Sequence, residues 1–295
     1  MRIVQPVTVD DANLTATNVA EIIFDWTLGT YNIGDQRVYG ESVYEALGTT
    51  SDSPDIGAAK STPTWIRLGY SNIWRMFRDG ADSRSTAPGE INVTIQTVAP
   101  ATAIALLGLS GSHAYITLTD DVEGNVYQAD ASLADIGVQD WWEYWFTDYD
   151  TLSSIYFPDI PAYGGAELNV LIEAATETAN AECGRVVFGP EREIGVTVEG
   201  VQSRLEDFST KTRDEFGNLT LVPRRTIRVV DYDFKVKNTS VDFTQRAFAA
   251  LAGTPAVFVG HPDLPETTVF GVYQSFQVIV NGHMITDCSL SVEEF

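Results

Sequence analysis

The chain has 295 residues, a length that favours two or three domains, and 44% of them are hydrophobic, which is enough for packed cores. Its 18 basic and 41 acidic residues give a formal net charge of −23, which repels nucleic acid and anionic membrane surfaces. We therefore expect neither of them as a partner. The start, MRIVQPVTVDD, has no apolar run of signal-peptide length, and no later stretch reaches the roughly 18 apolar residues of a spanning helix, so no membrane insertion is expected.

The first predicted domain covers residues 1–82 and contains a hairpin unit at about 24–70. In Tyr39-Gly40-Glu41-Ser42 a glycine stands first in a two-residue loop, which is typical of a type II′ turn because that position needs a positive φ. Upstream, NVAEIIF favours a short helix, whereas SDSPDIGAAKSTPTW is predicted to be a loop.

Aromatic residues are concentrated in this hairpin unit. Exposed rings could stack on the apolar faces of sugars, but a unit this small also needs most of its aromatic side chains for its own core, and a docking patch is a third reading. All three readings stay open for the candidate carbohydrate-binding residues Trp26, Tyr31, Tyr39, Tyr44 and Trp65.

The same residues carry a resemblance to a known family. Together with Gly34-Asp35, Ala46 and Pro54, they resemble the small chitin-binding carbohydrate modules that are often attached to chitinases. The chain departs from that pattern at Arg37, where an apolar residue is usual, and its hairpin glycine is shifted by one position. The resemblance implies a small β-hairpin module with an aromatic sugar site.

Residues 78–90, RDGADSRSTAPGE, are predicted to be a linker, and residues 83–200 to be an acidic β-sandwich of jelly-roll or galactose-binding-like form. Segments such as EINVTIQTV, HAYITLTD and AELNVLIEAA alternate with period two, and DDVEGNVY supplies a hairpin turn. No Lys or Arg occurs from Ser85 to Gly184, which holds 15 acidic residues, and two interpretations stay open: contact with more basic surfaces of neighbouring copies, or a solvated acidic face.

The stretch QDWWEYWFTDYD holds half of the tryptophans. Alternation places Trp142, Tyr144 and Phe146 on one face, predicted to be sandwich core, and Trp141, Glu143 and Trp145 on the other, our candidate contact surface. Core, subunit interface and carbohydrate contact remain open for this second face.

Residues 201–295 are predicted to form a β-rich C-terminal domain. DEFGNLTL indicates a turn at Phe216-Gly217-Asn218, and one helix is predicted at 240–252, with Ser240 as N-cap, Gly253 as terminator, and Phe243, Ala247, Phe248 and Leu251 at helical spacing. Charges of both signs near the turn suggest either a contact surface that sets register between subunits or ordinary surface charges. The interface candidates here are Asp207, Lys211, Arg213, Arg224 and Arg225.

Sequence motifs of catalysis are missing. There is no G-x-S-x-G, no H-x-x-H or C-x-x-C, and no phosphate-binding glycine motif, and with 41 acidic residues carboxylate pairs arise by chance. We therefore expect no enzyme activity, no metal and no cofactor, and two buried free thiols at Cys183 and Cys288.

Two further segments resemble tail-associated proteins of tailed bacteriophages. They are LGYSNIWRMF, Leu68–Phe77, and the stretch from Gly189 to Arg225, with Ile194-Gly195, Asp207-Phe208-Ser209 and Arg224-Arg225. The resemblance implies a structural protein of a phage tail or baseplate that is made in the host cytoplasm, resides in the virion, assembles with copies of itself and docks neighbouring tail proteins, with weak binding of a host glycan. The alternative is a carbohydrate-binding, receptor-binding protein at the virion tip.

Overall fold

The computed structural model describes residues 1–78, 83–133, 152–198, 200–213, 215–261, 264, 267–279 and 284–295. It is mostly β-structure in several sheets, which confirms the predicted mainly β, multidomain class. Within these residues, two helices longer than a single 3₁₀ turn occur, α1 (Pro54–Ala58) and α2 (Val241–Ala250).

The strands are numbered in chain order. They are β1 (Arg2–Val4), β2 (Leu14–Thr17), β3 (Gln36–Tyr39), β4 (Ser42–Ala46), β5 (Trp65–Tyr70), β6 (Ser85–Pro88), β7 (Glu90–Gln96), β8 (Ala103–Leu107), β9 (His113–Asp120), β10 (Gly124–Ser132), β11 (Ser154–Phe157), β12 (Glu167–Glu173), β13 (Asn180–Cys183), β14 (Arg185–Gly189), β15 (Glu191–Glu193), β16 (Val196–Thr197), β17 (Gln202–Asp207), β18 (Thr210–Arg213), β19 (Leu219–Val222), β20 (Thr226–Lys237), β21 (Ala256–Val259), β22 (Thr268–Ile279) and β23 (Ile285–Glu294).

The N-terminal unit is the antiparallel sheet β3-β4-β5. Tyr39 pairs with Ser42 across the predicted two-residue loop, and Gly40 has φ +59°, as a type II′ turn requires. The helix predicted at NVAEIIF is wrong: the backbone of residues 18–24 is irregular, and the Glu21 carboxylate accepts the N–H groups of Asn72 and Ile73 from another part of the chain. The short helix lies instead in the predicted loop, at α1.

The sandwich has a five-stranded sheet, β10-β9-β12-β7-β2, facing a three-stranded sheet, β11-β8-β14, with the pair β13-β6 at its side. Period-two alternation buries one face of the inner strands β7, β9 and β12, as Ile91, Val93 and Ile95 of β7 show. The predicted hairpin turn is present between β9 and β10, where Asp120 accepts the N–H groups of Val122 and Glu123.

A further sheet contains eight strands. Seven of them follow the order β15-β1-β21-β22-β23-β20-β16, and β17 also pairs with β20. Sheets therefore do not follow the predicted boundaries at residues 82 and 200. Strand β1 belongs to this sheet, β2 belongs to the sandwich, and β15 and β16 precede residue 200.

Three strands, β8, β14 and β21, are buried on both faces. In β8, Ile104 and Leu106 face the sandwich core, whereas Ala103 and Ala105 pack with Val257 and Val259 of β21. The small alanine side chains suit close packing of the three-stranded sheet against the eight-stranded one. The result is three stacked sheets with continuous apolar contact.

The segment predicted to be a linker is largely fixed. Residues 79–82 lie outside the described residues, but β6 and β7 occupy most of its second half. Arg78 forms a two-pronged ion pair with Glu41 of the hairpin loop and donates to the Val9 carbonyl at 2.6 Å. The buried amide of Asn72 binds main-chain atoms of Ala20 and Thr86, so the N-terminal unit is joined to the sandwich by specific bonds.

Helix α2 covers the other face of the eight-stranded sheet. Its start after Ser240 and its end before Gly253, with φ +71°, confirm the prediction to within two residues. Phe248 is 1% exposed and stacks on Phe276 with ring centroids 4.2 Å apart. Phe243, predicted on the buried side, is 48% exposed.

The two phenylalanines of α2 give a matched test of this packing. We expect Phe248→Ala to lower the free energy of unfolding by about 3–5 kcal/mol, because it leaves a cavity between the helix and the sheet. Phe243→Ala, the same substitution on the exposed side, should change it by about 0.5 kcal/mol or less. Urea denaturation measures both, and equal effects would contradict the packing described.

Candidate functional site: an exposed β-arm

The most exposed regular structure is a two-stranded arm formed by residues 202–226. Strand β17 pairs with the first half of β20, and beyond it β18 pairs with β19 from Thr210↔Val222 to Arg213↔Leu219. The chain reverses at the predicted turn, where Gly217 has φ +84°. Every described side chain of the arm is exposed except Ser209, which is half-buried.

The tip of the arm has two chemically distinct faces. Cross-strand pairs put Lys211 beside Leu221 and Arg213 beside Leu219 on one face, defined here as the cationic-apolar face. The opposite face carries Thr210, Thr212, Thr220 and Val222. A strand pair with a leucine-containing face normally places that face on a core.

The arm has no core of its own in the described chain. A two-stranded hairpin is only marginally stable in water, and exposed apolar groups at this density mark an interaction surface. The exposed large apolar side chains of the arm are Leu205, Phe208, Phe216, Leu219, Leu221 and Val222. Phe216, at the turn, is 90% exposed.

Local bonds fix the base of the arm. The Asp207 carboxylate accepts the Ser209 N–H at 2.9 Å and pairs with Lys211 Nζ at 3.1 Å, while the Ser209 hydroxyl oxygen accepts the N–H of Arg224 at 3.1 Å. Hydrogen bonding from Ser209, then from Lys211, lowers the pKa of Asp207 to about 2. Asp207 thus fixes the connection from β17 to β18, and the bond from Arg224 to Ser209 joins the two strands.

The predicted interface residues of the C-terminal domain all lie on this arm. Asp207 and Lys211 bind each other, and Arg225 donates to the main-chain oxygen of Phe295 at 2.8 Å. Arg213 and Arg224 form no ion pair with any described residue. The candidates Trp141, Glu143 and Trp145 lie outside the described residues.

A complementary surface exists on the sandwich. The outward face of the five-stranded sheet carries carboxylates and no Lys or Arg, since its strands β7, β9, β10 and β12 lie in the segment without basic residues. This acidic sheet face is defined by Glu90, Asp130, Glu167 and Glu173. Glu90 and Glu173 stand directly opposite each other in the ladder, an unfavourable like-charge pair that an external cation would relieve.

The predicted carbohydrate residues are only partly accessible. Trp65 is fully buried, donates its indole N–H to the Asp52 carbonyl at 3.1 Å, and packs edge-on against buried Tyr31 with ring centroids 5.4 Å apart. These two rings form the core of the N-terminal unit, with Ala46, and cannot stack on a sugar. Gly57 of α1 is required there because a Cβ would lie 2.4 Å from the Trp65 ring.

The other three candidates stay at the surface of that unit. Tyr39 is 36% exposed and meets half-buried Trp26 edge-on at 5.7 Å, and Tyr44 is half-buried on the same sheet face. The Trp26 indole N–H is buried without a hydrogen-bond partner among the described residues, so only its ring could contact a ligand.

Sequence reasoning missed the exposure of the arm, although its turn and its charges were found.

Comparison with protein-family models, curated proteins and solved structures found no match. No helix of the described chain is long and apolar enough to span a membrane, and its His, Cys, Asp and Glu residues form no group of three or more that could hold a metal ion.

Substitutions in the N-terminal unit should separate core rings from surface rings. We expect Trp65→Ala to destabilise this unit by about 3–5 kcal/mol, because the indole is its largest buried side chain. Tyr39→Ala removes one edge contact and should cost no more than about 1.5 kcal/mol. Hydrogen exchange of the Val38 and Val43 amides reports on both, and comparable losses of protection would show that Tyr39 also belongs to the core.

Proposed function

We propose that this protein is a structural subunit of a bacteriophage tail or baseplate, and that the arm joins each copy to its neighbour. The exposed arm with its uncovered leucines and phenylalanines carries the proposal of assembly. The phage assignment is supported by the resemblance of Leu68–Phe77 and Gly189–Arg225 to tail-associated proteins. The second of these segments includes most of the arm, and the first includes the joint at Asn72.

The arm meets the acidic sheet face of a second copy in this proposal. Its cationic-apolar face presents Lys211 and Arg213 beside two leucines, and the acidic sheet face presents four carboxylates with no Lys or Arg on its strands. Opposite potentials steer association and fix register, while burial of the leucines supplies most of the affinity. Because the arm and the face are different surfaces, the contact can be made reciprocally in a two-fold dimer or head-to-tail in rings or open chains of subunits.

Charge reversal on the arm tests this contact. We expect Lys211→Glu/Arg213→Glu to weaken self-association about tenfold or more, because two attractive pairs become repulsive. Sedimentation velocity and native mass spectrometry over a concentration series measure the change. Raising NaCl from about 0.05 to 0.5 M should weaken the wild type in the same direction.

A matched control and a rescue sharpen the experiment. Lys235 and Lys237 are exposed, two residues apart on β20, and away from the arm, so Lys235→Glu/Lys237→Glu should leave association unchanged. Adding Glu90→Lys/Glu173→Lys to the arm variant should restore it. A wild type that stays monomeric at high concentration and in particles would refute the assembly role, and an arm-dependent oligomer without rescue would place the contact elsewhere.

Carbohydrate binding is a second candidate function, favoured by the surface position of Trp26, Tyr39 and Tyr44 on one sheet face. One aromatic face contributes about 1 kcal/mol, so such binding is weak and needs several copies.

Glycan retention on a chitin column or an array tests this second candidate. We expect Tyr39→Ala to reduce retention while Phe243→Ala, an exposed aromatic elsewhere, leaves it unchanged. Trp65→Ala is unsuitable because we expect it to destabilise the whole unit. Equal retention of all variants, or none by the wild type, would eliminate this candidate.

A further inference from the structure

One face of the sheet β3-β4-β5 carries a tyrosine between two arginines. Arg37 of β3 pairs with Tyr44 of β4, which pairs with Arg67 of β5, and directly opposed residues of antiparallel strands share a face. The next row on the same face has a tyrosine on each outer strand and a buried serine between them. Apart from that serine, each side chain of the two rows is exposed or half-buried. The basic-aromatic face is defined by these rows, Arg37, Tyr44 and Arg67, and Tyr39, Ser42 and Tyr70.

Neutral groups hold both arginines of this face in place. Arg67 Nε donates to the Ser42 hydroxyl oxygen at 2.9 Å, and its Cζ lies 4.3 Å from the centre of the Tyr70 ring. Arg37 Nη1 donates to the Gln36 carbonyl oxygen at 2.6 Å. A hydroxyl, a carbonyl or a ring orients a guanidinium without cancelling its charge, and a guanidinium has five N–H donors. Both arginines are therefore fixed in direction and keep their positive charge.

The unit that holds this face is locally neutral in a strongly acidic chain. Residues 31–78 contain five basic and five acidic side chains, whereas the whole chain has a net charge of −23. Glu41 is paired with Arg78, and Asp52 is paired with Lys60 at 2.6 Å. Within the part of the chain that the structure describes, neither arginine of the basic-aromatic face forms an ion pair. Because salt at 0.15 M screens charges beyond roughly 8 Å, these arginines decide the sign of a ligand here.

We propose that the basic-aromatic face binds an anionic saccharide, a sugar chain whose rings carry negatively charged groups. This inference rests on the second candidate function, carbohydrate binding at the surface of the N-terminal unit, and names the class of sugar. Tyrosine rings contact the apolar faces of sugars, while guanidinium forks match the oxygens of carboxylate and phosphate groups. The two arginines stand about 10 Å apart, twice the spacing of strands, so one sugar chain can contact both charges and the ring between them.

The arrangement favours this ligand over a neutral sugar and over an acidic peptide. A neutral sugar that covered the rings would remove water from the guanidinium groups without replacing it by an opposite charge. A peptide commonly adds a strand to an open sheet edge or inserts anchoring side chains into a groove. The charged and aromatic groups stand instead on a sheet face, in rows that cross all three strands.

Saturation-transfer NMR titration with the full chain tests the proposal, because it detects weak binding to monomers and oligomers alike. The probes are trigalacturonic acid and its methyl ester, the same trisaccharide without charge. In 0.15 M NaCl we expect saturable binding of the acid, about tenfold or more tighter than that of the ester. Tighter binding of glucuronic acid than of glucose 6-phosphate identifies carboxylate as the anionic group, and the reverse order identifies phosphate.

Matched variants separate the charge from the ring. Arg67→Gln and Arg37→Gln should each weaken binding of the acid about tenfold and leave the ester unchanged, because each removes one charged donor. Tyr44→Ala should weaken acid and ester alike. Arg246→Gln removes the same charge from the exposed surface of α2 and should change neither. Arg67 is exposed, so its variant should fold even if Arg37→Gln does not.

The outcomes distinguish this inference from the function on which it rests. Equal binding of acid and ester that the arginine variants do not change would overturn the anionic preference and leave carbohydrate binding standing. Absence of binding by either probe would overturn both. Tighter binding of a hexaglutamate peptide than of trigalacturonic acid would also overturn the proposal and assign the face to an acidic peptide.

Discussion

Burial of both faces of the strands between the layers is the interaction on which this molecule depends. β8, β14 and β21 are nearly continuous apolar strands because each has a core on either side. Val187 of β14 faces the eight-stranded sheet, and its neighbours Val186 and Phe188 face the sandwich. A polar residue at any of these positions would lie between two apolar layers without a partner, so loss of one contact weakens both cores.

The rigid attachment of the N-terminal unit follows from specific polar bonds. Glu21, Glu41, Asn72 and Arg78 connect it to the sandwich, and Arg78 also lies 5.0 Å from the centre of the Trp74 ring. The unit therefore keeps a set direction relative to the sandwich, and the arm keeps another because Asp207 and Ser209 fix its base. Because the N-terminal unit and the arm each project in a fixed direction, every contact between copies can have the same geometry.

Period-two alternation in the sequence predicted most strands and the fold class, and the position of Gly40 predicted the type II′ turn, because these features depend on neighbouring residues. It could not predict which apolar faces are covered. Leu219 and Leu221 alternate as core residues do yet are exposed, and Phe243 shares the spacing of Phe248 but lies on the open side of α2. The cavity lined by Arg84, Arg185 and Arg228 was also beyond reach, since these residues come together only through the packing of two sheets. The linker prediction failed because polar Ser85–Pro88 pairs with β13, a partner distant in sequence.

Strand β1 has a consequence for how the chain is made. Arg2–Val4 pairs with β15 on one side and with β21 on the other, so this strand joins a sheet whose other strands follow the sandwich in the sequence. Contacts this distant in sequence form slowly, because a long loop must close before any ladder bond is gained. The sandwich can fold during synthesis, whereas β1 stays unpaired until β15 and β21 have been made, and until then its apolar residues Ile3 and Val4 are exposed to contacts that a chaperone would prevent.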